Sequence, residues 1–337
     1  MDKMTAVQVN QSGDWEKIER DIPQPSSHQV RIKIEACGIC HSDIYVKDRI
    51  WPGIAFPRIP GHEVAGVIDE IGPTVTHWKK GQRVGVGWAG KRCGQCLPCR
   101  RGDFINCEKH QITGIHYDGG YADYMIAPIE ALAAIPDELS FAEAAPLLCA
   151  GITTFNALRH SQARPGDTVA IQGIGGLGHL AIQFAKKMGF RTVAISKGVD
   201  KEPLARKLGA HIYLNTEKEN VADALKKLGG ARTILATAPS GKAITPLIEG
   251  LSYRGKLVIV GASNDPIEVT AIQLISLKRS LLGWPSGTAV DSEEAMKFCA
   301  LTGIRPMIEK FPLEKAPEAY DHMIMNKARF RSVLTKT

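Results

Sequence analysis

The sequence predicts an α/β protein in which a doubly wound parallel sheet is inserted between two parts of a mainly β domain. Three observations carry that expectation. Between residues 151 and 284, strand-like and helix-like stretches alternate as they do in βαβ units. Before residue 150, the stretches richest in ligand-type side chains sit where strands hand over to loops. The third is size: 337 residues with 44% hydrophobic composition suit two domains better than one. The expected division is 1–150 with 285–337 for the mainly β part and 151–284 for the insert.

The first fifteen residues, Met1 to Trp15, pass from a short charged start into alternating, strand-like residues, without the apolar core and small-residue cleavage site of an export signal. A cytoplasmic location is expected. No apolar run approaching the roughly 20 residues that cross a bilayer is read, so no membrane partner is expected. Lysine and arginine number 42 against 35 acids, a formal balance of +7, and the basic residues are scattered along the chain. That favours small anionic ligands over nucleic acid.

A strand over Val30–Glu35 runs into Cys37, Cys40, His41, Ser42 and Asp43, and a proline-rich loop runs into Gly61, His62 and Glu63. Farther on, Cys93, Cys96, Cys99 and Cys107 have the spacing C-x2-C-x2-C-x7-C, so four of the eight cysteines fall within one lobe at about residues 90–110. In a reducing compartment such clustering reads as metal ligation. Four soft thiolates form a closed tetrahedral shell for one zinc, which points to a structural site. Lys91, Arg92, Arg100 and Arg101 offset the −2 charge that four thiolates leave on a divalent ion. An iron–sulfur cluster also uses four thiolates, and buried free thiols are the plainest alternative, but four cysteines in fifteen positions favour zinc. A nucleic-acid zinc ribbon would need paired knuckles and aromatic platforms, which this loop lacks. Cys37 and Cys299 read as buried free thiols.

In the insert, a turn at Pro165 and a buried strand over Thr168–Gln172 lead to Gly173, Gly175, Gly176, Leu177 and Gly178, and then to a helix over Leu180–Met188. Strand, G-x-G-x-x-G and helix together form the dinucleotide-binding context. Gly173 permits the tight turn, Gly175 lets backbone approach a pyrophosphate, and Gly178 allows close helix-on-strand packing. The next strand, Arg191–Ser196, ends without the acid that would accept two ribose hydroxyls. Ser196 and Lys197, with Lys201 in support, suit a 2′-phosphate, so NADP is favoured over NAD. Asp200 reads as a helix cap. The alternation continues with helices over Glu202–Leu208, Val221–Leu228 and Lys242–Leu251. Strands are expected over His211–Leu214, Thr233–Ala236, Lys256–Val260 and Ser280–Trp284.

Taken together, Gly38 to Asp43, Gly61 to Glu63, Leu148 to Gly151, the four-cysteine lobe and the glycine fingerprint resemble the zinc-dependent medium-chain alcohol dehydrogenases across essentially the whole chain. The resemblance implies a GroES-like catalytic domain with an inserted Rossmann domain. It implies two zincs per chain, one of them catalytic and held by Cys40, His62 and Cys149 with a fourth position open to substrate. It further implies hydride transfer between a primary alcohol or aldehyde and NAD(P). Ser42 would take the alcohol proton, and Tyr45 stands where many members carry a histidine that continues the relay, which leaves its end point open. His41 and Arg331 would lie by the cofactor pyrophosphate. Asp43 would hold the His62 ring, and Glu63 would sit behind the ion. Trp51, Trp88 and Trp284 are expected in the substrate pocket, with core packing as the competing role. A homotetramer or homodimer is implied by the family alone. The alternative is a zinc-stabilised, non-enzymatic scaffold with a vestigial cofactor fold.

Overall fold

The computed structural model describes residues 2–336. Contacts divide the chain into two compact units, Met1–Ile152 with Ser286–Thr337, and Thr153–Pro285.

The first unit is built mainly on antiparallel pairing, with one parallel pair, Ile308–Pro312 beside Arg331–Thr335. Its main strand, Gln29–Gly38, alternates buried Val30, Ile32 and Ile34 with Arg31, Lys33 and Glu35, the period of a strand with one face on a core. Around it lie Val64–Ile71, Arg83–Val86 and Leu132–Ala134 on one side, and Arg331–Thr335 and Ile308–Pro312 on the other, with Tyr124–Pro128 also paired to the main strand. A separate hairpin joins Lys3–Val9 to Trp15–Asp21. Ile32, Ile68, Met125, Leu132 and Leu334 fill the core between these layers.

The second unit is a six-stranded parallel sheet in the spatial order Ile212–Asn215, Arg191–Ser196, Thr168–Gln172, Ala231–Ala236, Leu251–Ile259 and Ser280–Gly283. Numbered along the chain, that is 3-2-1-4-5-6, the order of dinucleotide-binding folds. All five residues of Thr168–Gln172 are buried, as a central parallel strand covered on both faces should be.

Three local expectations are corrected, and one helix is added to them. The stretch 242–251 is not one helix: Gly241–Ile244 is followed by a 3-10 segment, Thr245–Gly250, and Leu251 opens the next strand. Pro246 lacks the N–H that would continue an α-helical ladder. Asp200 does not cap the following helix, whose N-cap is Lys201 without a side-chain bond. A short helix at Ala271–Ile275 was not foreseen. Finally, the helical run Phe141–Arg159 is long and apolar enough to cross a membrane, but 83% of its most apolar 18-residue stretch is buried within the protein.

Candidate active site and metal centres

Two groups of donor atoms are gathered within the first unit, each with its atoms within 4.8 Å of one another. One is Cys93, Cys96, Cys99 and Cys107. Four thiolates about 2.3 Å from a zinc stand roughly 3.8 Å apart. The Sγ–Sγ separations of Cys107 are 3.6 Å to Cys93 and 3.9 Å to Cys96, so the cage fits the ion. Backbone N–H groups of Gln95 and Cys96 donate to the Cys93 sulfur, pulling its pKa down to about 6, whereas burial pushes Cys99 up to about 12. Arg92 lies over the Phe104 ring at 4.4 Å, keeping one cation of the lobe in place.

The second group is Cys40, His62, Glu63 and Cys149. Cys40 follows the main strand and opens the 3-10 turn His41–Asp43. His62 and Glu63 precede the strand Val64–Ile71. Cys149 sits in a π-helical turn, Leu147–Gly151, entered just after Pro146; such widened turns recur at functional sites. The Cys40 and Cys149 sulfurs are 3.8 Å apart, again the edge of a zinc tetrahedron.

His62 is 2% exposed, and its Nδ1 lies 3.1 Å from Asp43 Oδ1. Among the described residues its Nε2 is buried without a hydrogen-bond partner. A buried imidazole nitrogen left bare beside two thiols is the arrangement a metal completes. Burial alone would lower the His62 pKa, but Asp43 and the Cys40 sulfur outweigh it and raise it. The thiols split, Cys40 falling and Cys149 rising, chiefly because they share one hydrogen bond.

Glu63, expected behind the ion, has a carboxylate oxygen inside the four-donor group. Its Oε2 has no hydrogen-bond partner, while Oε1 accepts from Arg331. A Cβ on Gly38 would stand 1.9 Å from that free oxygen, so only glycine leaves room for it. Burial raises the Glu63 carboxyl to about 7 against the pull of Arg331. Arg331 is 4% exposed and also donates to the Ile39 carbonyl at 2.9 Å, so the structure places it as the counter-charge of Glu63. Arg331→Leu would leave a buried carboxylate uncompensated. We expect it to lower unfolding free energy by about 3–5 kcal/mol, read as a fall in the calorimetric midpoint.

Ser42 is half-buried and His41 exposed on the turn next to Cys40. Tyr45 packs edge-on to Trp51 at 5.3 Å and to Trp88 at 6.4 Å. Trp88 in turn meets the His62 ring edge-on at 4.9 Å, so Tyr45, Trp51 and Trp88 form one aromatic cluster beside the donor group. Trp284 belongs to the second unit, where it is half-buried and stacks on His160 at 4.8 Å.

In the second unit, Gly173 adopts φ +91°, which glycine tolerates, and a Cβ on Gly178 would meet the Gly173 carbonyl at 1.9 Å. The turn therefore requires glycine at both ends, with Gly175, Gly176 and Leu177 between them ahead of the helix Gly178–Lys187. Beyond Ser196, Lys197 reaches Glu217 at 3.4 Å on the surface, and Lys201 donates to the Ile174 carbonyl at 3.2 Å, next to the glycine turn.

Residues 26–137 match the alcohol dehydrogenase GroES-like domain family, and residues 176–300 match the zinc-binding dehydrogenase family. The chain is 47% identical over 311 residues to alcohol dehydrogenase patD of Penicillium expansum, covering 92% of this chain and 91% of that one. It is 40% identical over 318 residues to an alcohol dehydrogenase of Geobacillus stearothermophilus, covering 94% of each. Among solved structures, a cinnamyl alcohol dehydrogenase from Sorghum bicolor superposes with TM-score 0.89 at 29% identity over 99% of this chain and 98% of that one. The scaffold alternative is disfavoured by these relatives. With zinc-ready donor groups in one unit and a dinucleotide fold in the other, the chain belongs to the zinc-dependent medium-chain alcohol dehydrogenases, NAD(P)-dependent oxidoreductases acting on alcohols.

Proposed function

We propose that the protein interconverts primary alcohols and aldehydes with NADP, using one zinc at Cys40, His62 and Cys149 and a second, structural zinc at Cys93, Cys96, Cys99 and Cys107. The observation that carries this reading is the bare, buried Nε2 of His62 beside two thiols 3.8 Å apart. A zinc held by Cys40, His62 and Cys149 would act there as a Lewis acid, favouring alcohol deprotonation and polarising an aldehyde. Two thiolates and a neutral imidazole balance its charge. Asp43 keeps the imidazole proton on Nδ1 and so leaves Nε2 free to ligate. Arg331 offsets the Glu63 charge when that carboxyl is ionised. Ser42 accepts the alcohol proton. Tyr45, packed among tryptophans, serves as wall, and the relay continues from Ser42 to the cofactor ribose or solvent. Trp51 and Trp88 give the substrate an apolar, aromatic approach, which favours short or medium and aryl substrates. Trp284 is assigned to the same pocket only as a sequence expectation.

The Gly173–Gly178 turn would hold the pyrophosphate and Ser196, Lys197 and Lys201 would receive the 2′-phosphate, while His41 and Arg331 are assigned to the pyrophosphate by the family resemblance alone. The CAD protein from Helicobacter pylori, 27% identical with TM-score 0.85, was solved with NADP(H), which supports this choice. A homotetramer or homodimer in the cytoplasm is the accompanying expectation. Steady-state kinetics test the cofactor: kcat/KM should favour NADPH over NADH by about 10-fold or more. Ser196→Asp should reverse the preference by repelling the phosphate and accepting ribose hydroxyls. A wild-type preference for NADH would replace NADP by NAD.

A further inference from the structure

We propose that Tyr121 is a positioning residue for the catalytic metal: its hydroxyl pins Asp43, and Asp43 in turn fixes the ring of His62. The inference rests on reading Cys40, His62 and Cys149 as zinc ligands. Asp43 is 2% exposed and accepts three hydrogen bonds. Oδ1 faces His62 Nδ1 at 3.1 Å, while Oδ2 takes the Cys40 backbone N–H and the Tyr121 hydroxyl, each at 2.9 Å. One carboxylate thus ties together the backbone of one ligand and the ring of another, and Tyr121 supplies the donor that is not part of either.

The tyrosine is itself immobilised. It is fully buried, its N–H donates to the Pro60 carbonyl at 3.1 Å, and its carbonyl accepts from Val7 at 2.8 Å. Its ring stacks on Trp15 with centroids 6.1 Å apart. On the other side the ring abuts Gly61, where a Cβ would approach Tyr121 Cδ1 to 2.5 Å, immediately before His62 in the chain. Burial and the Asp43 charge both raise the phenol pKa, so the hydroxyl remains a donor. Without it, Oδ2 keeps a single N–H, the carboxylate gains freedom to rotate, and the imidazole aim loosens.

The test uses the zinc-loaded enzyme and a colorimetric chelator, 4-(2-pyridylazo)resorcinol, which reads zinc release directly. Tyr121→Phe keeps the ring and removes only the hydroxyl. One of the two zincs should leave about 10-fold faster than from wild type, the other at an unchanged rate. Cobalt substituted at the same site should show shifted visible bands. Trp15→Phe alters the packing of the Tyr121 ring without touching the hydroxyl and should release zinc as wild type does. Asp43→Asn should accelerate release by itself, and adding Tyr121→Phe to it should change nothing further. Wild-type or slower release from Tyr121→Phe, an equal effect from Trp15→Phe, or additive effects in the double variant would each overturn the proposal. A wild-type enzyme that carries only one zinc, in the cysteine lobe, would instead overturn the ligand reading on which it stands.

Discussion

Cys149→Ala lowers kcat/KM by about 1,000-fold or more and removes one of two zincs per chain, while far-ultraviolet circular dichroism stays at the wild-type signal: this is the expected result at the candidate active site. The size follows from what is lost. A Lewis acid contributes several kcal/mol of charge stabilisation, and each 1.4 kcal/mol or so is a factor of ten in rate. With one sulfur gone, the remaining Cys40 and His62 hold the ion through two donors rather than three. The fold should survive because the thiol is only partly buried, and its neighbours Leu147, Leu148 and Ala150 carry the packing of that turn. Metal analysis and initial-rate kinetics on the same preparation decide it. Near-wild-type turnover by the zinc-depleted variant would remove Cys149 from the chemistry.

The second large effect is on stability. Cys99→Ala should release the other zinc and lower the thermal midpoint by roughly 10 °C, while kcat per properly folded chain falls far less than in Cys149→Ala. The lobe has little else to hold it: its regular structure amounts to one four-residue helical turn, Leu97–Arg100, and a three-residue one, Phe104–Asn106. Leu97 is exposed, so the sulfurs, with Cys99 and Cys107 buried, take the place of an apolar core. Limited proteolysis should then cut between Lys91 and Lys109 in the variant only. An unchanged midpoint and an uncut lobe would show that the metal does not organise this loop.

How far the sequence is legible differs between the two units. The strands Thr168–Gln172 and Arg191–Ser196 have the bounds expected of them, because short apolar runs have one stable fate in a parallel sheet, and the helix Glu202–Leu208 does so because Pro203 marks its first turn and the left-handed Gly209 its end. The helix Ala271–Ile275 escaped because its apolar residues do not mark a buried face: Ile272 is 66% exposed and Ile275 71%. Lys242–Leu251 was misread because a single proline divides it. The cysteine lobe is local, so its spacing suffices. The other donor group is not local: Cys40 and Cys149 are 109 residues apart, and only the likeness to a family could join them before the fold was known. Glu63 and Arg331 each stand out singly, but they are 268 residues apart and nothing in the sequence pairs them. Tyr121 carries no signal of its own, since a tyrosine after two glycines reads as ordinary core.

The widened turn at Leu147–Gly151 makes segment length a determinant of metal geometry. Excising one residue there would restore regular winding and swing the cysteine side chain by roughly 100°, away from its partners. A chimera whose joint shifts this stretch by a single codon would therefore be expected to fold and yet lose its chemistry.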